Sequence, residues 1–396
     1  MGMKFCFVAY LLLPISLFCL TACSSNNTSS TTGTGVLYVT AQANTTITAY
    51  VVTQSSGALS SNGQSLGTGS VPAAIAIAPA GNALFVADSG SNSISSYSIN
   101  AQGALAATTA TASTGNTPVG LAIDPAGKFL FAANQKSSDV SVFTINGTGL
   151  TAVPGSPFTT IPLGYSYPNG TLPAAVAVSA SGKFLYVANQ LANFVSAFSI
   201  DATSGALTPL GVPFYSVGIS PSGLAITPNG GFLYVANAGA NSNNISAFAV
   251  CDNVVNSCTD PNHPDGTLKE VSGSPFPAGL GPVAIAFDPG FNFAYVVDKG
   301  SNQISQYAYG PGSGVLSPLS PGTISTGLTP VSIAILPGVV AADVGNTLYN
   351  TTDFVYVANL GAGTISTFSL STSSGLLNVV GQPLVIFGQT SAVAGR

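Results

Sequence analysis

The sequence predicts an all-β fold: a seven-bladed β-propeller of four-stranded antiparallel blades, its ring closed by the C-terminal strand pairing with the N-terminal blade. Three observations predict it. A short phrase of an aliphatic residue, an aromatic and further small or aliphatic residues occurs seven times, with its aromatics at 38, 85, 131, 186, 234, 295 and 356. That spacing of roughly 50 residues suits one propeller blade per copy. The flanking runs alternate with period 2, as in Val140-Ser141-Val142-Phe143-Thr144-Ile145, and no 3.6-residue period is visible. Finally, 46% of the 396 residues are hydrophobic and only 5% charged, which excludes disorder and indicates an extensive core.

In chain order, residues 1–22 read as a secretory signal: Lys4, an apolar run from Phe5 to Leu20, then small residues. The run is short for a membrane span and is interrupted by Pro14. Leu20-Thr21-Ala22-Cys23 resembles the lipobox of bacterial lipoproteins, which implies acylation of Cys23 as the first mature residue and a membrane partner held through lipid. Ser24 stands where Asp would, by that resemblance, favour the inner membrane, so the outer membrane is the expected address. Residues 23–35 form a polar, flexible tether, and 36–396 the propeller.

Within each later unit, an apolar run begins near Pro, as in Pro118-Val119-Gly120-Leu121-Ala122-Ile123. A turn such as Asp124-Pro125-Ala126-Gly127 follows, with Pro presetting φ for a type I turn. Next come the phrase, a polar loop, an alternating third strand, and a weaker fourth strand around Gly-x-Leu, as at Gly205-Ala206-Leu207. The first copy lacks the leading strand. The tail Thr390-Ser391-Ala392-Val393-Ala394 supplies one, so both termini would close the ring and leave no inner edge.

Charge narrows function. The chain holds seven Lys+Arg, twelve Asp+Glu and one His, for a formal charge of −5. No basic face exists for a nucleic acid, and the sole Arg is Arg396. A transmembrane β-barrel fits the apolar alternation but not the lipobox or the four-strand repeat.

The repeat P-x-x-[IVL]-A-x-x-P-x-G-x-x-L-[YF]-V-A-N…[IV]-S-x-[FY] resembles that of seven-bladed lactonase-like propellers, related to YVTN-repeat surface proteins, over residues 35–394. The resemblance implies relatives such as 6-phosphogluconolactonases and carboxymuconate-cyclising enzymes, whose anionic substrates call for Arg, His and Glu. Here Lys128, Lys136, Lys183, Lys269, Lys299, His263, Glu270 and Arg396 are the mature chain's Lys, His, Glu and Arg residues, and no catalytic position carries over. Lys128 and Lys183 follow turn glycines, on the face opposite the expected mouth. Gly63-Gln64-Ser65-Leu66-Gly67 matches a nucleophile elbow, but that motif needs a strand-to-helix turn with His and Asp partners, and chance accounts for it.

Candidate ligand-binding residues are the polar phrase ends Asp88, Asn134, Asn189, Asn237, Asp298 and Asn359, with Thr40 in the first copy, and the nearby Tyr165, Tyr167 and Tyr215. They suit a carbohydrate, peptide or protein ligand. The competing reading is that Asn and Asp cap strand ends on their own loop backbone. Because function breaks a repeat's symmetry, the irregular segments 160–172, 212–220, 238–244, 251–267 and 338–353 are further candidates. Cys251 and Cys258 suit a disulfide in an exported protein; a metal reading would recruit His263 and Asp260. The resulting expectation is a monomeric, non-catalytic binding or scaffold module without metal or cofactor. The alternative is a divergent lactonase acting on a neutral lactone, with Asp88 or Asp298 as base.

Overall fold

A computed structural model of the chain describes residues 35–63, 65–211, 214–252, 265–290, 292–337, 352–386 and 388–396. The signal, Cys23, residues 24–34, Cys258, Asp260, His263 and most of the 251–267 and 338–353 segments lie outside the described residues. All described elements are strands, in seven antiparallel sheets. Each sheet is one blade, and seven innermost strands surround the axis: Thr390–Gly395, Pro72–Ile77, Pro118–Ile123, Pro173–Val178, Pro221–Ile226, Pro282–Phe287 and Pro330–Leu336. Each touches the next, and Pro330–Leu336 touches Thr390–Gly395, so the ring is closed.

Closure occurs where the sequence places it. Thr390–Gly395 pairs with Val36–Ala41, with Leu37 opposite Gly395 and Ala41 opposite Thr390. Blade 1 therefore takes its inner strand from the C-terminus and the others from the N-terminus. This register corrects one assignment. In blade 2 the residue opposite Pro72 is Asp88, so Ala41, not Thr40, occupies that position in blade 1. Thr40 instead lies one residue earlier, bonding Ser391 Oγ at 2.9 Å.

The phrase forms the second strand of every blade, and all its residues are buried in all seven. Period-2 alternation is absent there because both faces of the strand pack against neighbouring blades, which selects a continuous apolar run. Its aromatic also links blades. Tyr38 Oη donates to the Gly103 carbonyl at 2.9 Å, Tyr186 to Gly266 at 2.9 Å, Tyr234 to Gly314 at 2.6 Å and Tyr295 to Gly375 at 2.7 Å. Tyr356 reaches Gly57 at 3.0 Å, spanning the closure between blades 7 and 1. These acceptors sit in third-to-fourth-strand turns at positive φ. At Gly375 a Cβ would fall 2.1 Å from the Phe293 ring, so glycine alone fits.

Outer strands depart from expectation. In five blades the fourth strand is two short pieces, both paired with the third. In blade 3, Val153-Pro154-Gly155-Ser156-Pro157 stands between Gly149–Ala152 and Phe158–Thr159, and its prolines lack ladder donors; in blade 6 Leu316–Ser325 runs unbroken with Pro318 and Pro321 inside it.

A clasp recurs on the mouth face. The residue before each inner-strand proline has positive φ: Val71, Thr117, Leu172, Ser220, Gly281 and Thr329. In four of these, the N–H donates to an Asn of the preceding blade's second-to-third-strand turn. Asn92 Oδ1 accepts from Thr117 at 2.8 Å, Asn193 from Ser220 at 2.8 Å, Asn243 from Gly281 at 2.9 Å and Asn302 from Thr329 at 2.7 Å. The four asparagines are themselves at positive φ, a conformation Asn tolerates better than other non-glycine residues. The clasp thereby fixes the lead-in to each inner strand relative to its neighbour.

Candidate functional site

The inner strands begin on the face where the second strands end, so the turns between second and third strands surround the central opening there. The predicted ring of polar phrase ends lies beneath it. Asp88, Asn134, Asn189, Asn237, Asp298 and Asn359 are each fully buried, and each bonds a serine of its own third strand. Ser95 Oγ donates to Asp88 Oδ2 at 2.6 Å, and Ser305 Oγ to Asp298 Oδ2 at 2.6 Å. The amides of Asn134, Asn189, Asn237 and Asn359 donate to Ser141, Ser196, Ser246 and Ser366 at 2.9–3.0 Å. The ring is thus a strand-end lock repeated in six blades, made through serine side chains where the capping reading expected loop backbone. Burial pushes the Asp88 and Asp298 carboxyls up to about 6, against hydrogen bonds that lower them. Neither is exposed to a substrate, so the lactonase alternative cannot use them as surface bases.

In five blades the residue after the phrase lines the opening instead. A depression of about 320 Å³ at the axis is lined by Gln42, Gln135, Gln190, Lys299 and Leu360, and by one residue from each inner strand: Ala73, Val119, Ala174, Ser222, Val283, Val331 and Ser391. Gln135 Nε2 donates to Gln190 Oε1 at 3.2 Å, bridging blades 3 and 4. Lys299, exposed, stands in blade 6 and is the single charged side chain among those lining the depression. Two further charges lie on this face in the blade 3 turn: exposed Lys136, and Asp139, which accepts from Asn134 Nδ2 at 2.7 Å and Ser137 Oγ at 3.0 Å. Burial raises the Asp139 carboxyl. Neither lines the depression.

The ring residues named from the sequence stand one position before side chains that line the depression. The sequence marks those lining positions by variation: after the near-constant Asn or Asp come Gln42, Ser89, Gln135, Gln190, Ala238, Lys299 and Leu360. The side chains break the seven-fold symmetry while the backbone keeps it.

The three tyrosines separate. Tyr165 and Tyr167 join an aromatic chain on the mouth face, with Tyr165 edge-on to Phe214 at 5.3 Å, Phe214 to Phe194 at 5.1 Å, and Phe194 to Tyr167 at 5.6 Å. Tyr215 turns away, into the packing between blades 4 and 5 beside Phe248. None of the three lines the axial depression. Val250 and Leu336, from which the 251–267 and 338–353 segments depart, end strands at the opposite face. Lys128 lies there too, its Nζ bonding the Ala202 and Thr203 carbonyls at 2.6 and 3.1 Å. Cys251 is disulfide-bonded. Ser65 has no elbow; its hydroxyl bonds Thr48 Oγ1 at 2.6 Å at an exposed edge. Grooves along the outer strands recur between blades 1–2, 3–4 and 6–7 on equivalent residues such as Tyr97, Phe198 and Phe368, so the repeat itself produces them.

With this geometry in place, comparisons with known proteins bear on chemistry. The family profile described as Lactonase, 7-bladed beta-propeller, matches residues 35–153, 151–255 and 252–385. A 6-phosphogluconolactonase of Bacillus subtilis is 33% identical over 118 residues, which is 29% of this chain and 31% of that protein's length. Among solved structures, the periplasmic gluconolactonase of Pseudomonas aeruginosa superposes with a TM-score of 0.73 at 20% identity, covering 91% of this chain and 98% of that one. A protein from Lactobacillus plantarum gives 0.68 at 19% identity, covering 92% and 99%. At such identities the superpositions show the fold alone. The family match and the partial sequence relative overturn the expectation of a non-catalytic scaffold. That expectation weighed the shortage of His, Arg and Glu too heavily, because opening a ring ester can draw on amides, one ammonium and water.

Proposed function

The chain belongs to the seven-bladed β-propeller lactonase family, and from that premise we propose that it hydrolyses a lactone at the axial depression. The observation that carries the reading is the convergence of Gln42, Gln135, Gln190 and Lys299 on one axial site. They are polar side chains at positions where the repeat is otherwise free to vary. The depression falls in the size range of small-molecule sites, about 300–1,000 Å³.

In lactone hydrolysis a water oxygen bonds to the carbonyl carbon, the ring C–O bond breaks, and the ring oxygen leaves as a hydroxyl after taking a proton. The new acid gives up a proton to solvent at neutral pH. Charge develops first on the carbonyl oxygen. The Lys299 ammonium is the group able to stabilise that oxyanion, and an aligned donor of this kind is worth about 10²–10³ in rate in other acyl-transfer sites. The glutamine amides, each both donor and acceptor, orient the ring and the attacking water.

Acid release from sugar lactones, followed against the spontaneous rate, tests the reading. The wild type is expected to accelerate opening, and Lys299→Ala to lower kcat/KM at least ten-fold with an unchanged circular dichroism spectrum. An unaltered kcat/KM in that variant would contradict it. Export and lipid anchoring through Cys23 at the outer membrane complete the proposal, supported by the lipobox-like Leu20-Thr21-Ala22-Cys23. Metabolic labelling with a fatty acid, abolished in Cys23→Ala, is the expected outcome.

A further inference from the structure

We infer that the axial site takes an uncharged sugar lactone and discriminates against its phosphorylated counterpart. The inference rests on the lactonase reading and narrows its substrate class. A phosphate ester carries close to two negative charges at neutral pH, and protein sites meet that charge with arginine forks, clustered cations or backbone N–H nests. Among the described residues lining the depression, Lys299 is the one cation. The sole arginine is at the other end of the molecule, where Arg396 Nη1 donates to the Asn100 carbonyl at 3.3 Å and its guanidinium lies against Gly81. The formal charge of −5 adds a long-range penalty for any dianion.

What the site does offer is amide chemistry. Gln135 and Gln190 sit side by side, joined by one hydrogen bond, and Gln42 stands in blade 1. An amide presents a carbonyl oxygen and two N–H donors, the complement of vicinal hydroxyls that both give and accept hydrogen bonds. Lys299 lies three blades round the ring from Gln135, so a ligand across the axis meets amides at one end and an ammonium at the other. A lactone fits that polarity: hydroxyls on the glutamines, the carbonyl on Lys299. The hydrolysis product is a monoanion, and Lys299 is matched to one charge. The aliphatic walls, Val119, Val283 and Val331, hold no group for a second anion.

The test compares glucono-1,5-lactone with 6-phosphoglucono-1,5-lactone on the purified mature protein, at low and high salt, with Gln190→Ala and Lys299→Gln as variants. The expected result is a kcat/KM at least ten-fold higher for the unphosphorylated lactone, nearly independent of salt. Gln190→Ala should raise KM several-fold with a smaller fall in kcat than Lys299→Gln, which should lower kcat chiefly. Equal or faster opening of the phosphorylated lactone, with salt-suppressed kcat/KM, would overturn this inference and leave the lactonase reading standing. Opening of neither lactone would overturn the lactonase reading itself.

Discussion

The ring of six buried acids and amides shows how one side chain can be structural in some blades and electrostatically costly in others. Four positions carry Asn and two carry Asp, with the same serine partner beneath each. An amide needs no ionisation, whereas burial raises the Asp88 and Asp298 carboxyls from 3.8 to about 6. The folded state therefore binds protons more tightly than the unfolded chain. Stability is fully present below about pH 4, falls as pH rises towards 6, and is flat beyond. Replacing either by the amide of the other blades should remove that loss. Asp88→Asn and Asp298→Asn are expected to stabilise the protein by on the order of 1–3 kcal/mol at pH 7, with the gain vanishing near pH 4. Thermal melts across that range check it; a lower melting temperature at pH 7 would show that the carboxylates contribute bonds an amide cannot replace. The same ring explains the limit of sequence reading at this scale. Recurrence of Asn189 and its equivalents signalled importance, but a feature kept in nearly every blade serves what every blade shares. The residue that differs, Gln190 against Lys299 against Leu360, was the one facing the axis.

Among elements, the inner strand of each blade depends on a turn that belongs to its neighbour. Asn193 illustrates the coupling: it sits at φ 58° and accepts the Ser220 N–H, while Ser220 is held at φ 55° ahead of Pro221. Asn193→Gly should cost about 1 kcal/mol through the lost bond alone. Asn193→Ala should cost more, because alanine adds the left-handed backbone penalty of roughly 1 kcal/mol. Denaturant midpoints in the order wild type, Gly, Ala check this; an Ala variant as stable as the Gly variant would contradict it. Strand identities were legible because each blade repeats its pattern of Pro, turn, phrase and alternating run. Splitting of the outer strands was less legible, since proline alone does not decide it: Pro154 and Pro157 stand in a break, yet Leu316–Ser325 runs unbroken through Pro318 and Pro321. Tyr215 likewise looked like a neighbour of Tyr165 in sequence, yet a two-residue strand, Tyr215–Ser216, turns it into the blade 4–5 core.

For the whole molecule, seven sheets leave no open inner edge only if the last strand returns to the first blade. Deleting residues 389–396 removes the inner strand of blade 1 and exposes Val36–Ala41, so a large fall in melting temperature, ten degrees or more, is expected. An unchanged melt would mean that closure is dispensable. Tyr356→Phe is a gentler probe, since it severs only the bond to Gly57 across the seam. Phe85 and Phe131 fill the same position without a hydroxyl, so packing should survive and the cost stay near 1 kcal/mol. The scarcity of charge also belongs to this scale. Second strands buried on both faces leave little room for ionised side chains, so the composition reports the architecture and says little about catalysis. The central claim is that chemistry occurs at the axis, between the glutamines and Lys299. A crystal structure of the protein soaked with D-gluconate, the product of the unphosphorylated lactone, tests it most directly. The account predicts the carboxylate within hydrogen-bonding distance of Lys299 and the hydroxyls on Gln135 and Gln190. Gluconate seated on the opposite face, or on the aromatic chain of Tyr165 and Phe214 with the axis unoccupied, would contradict it.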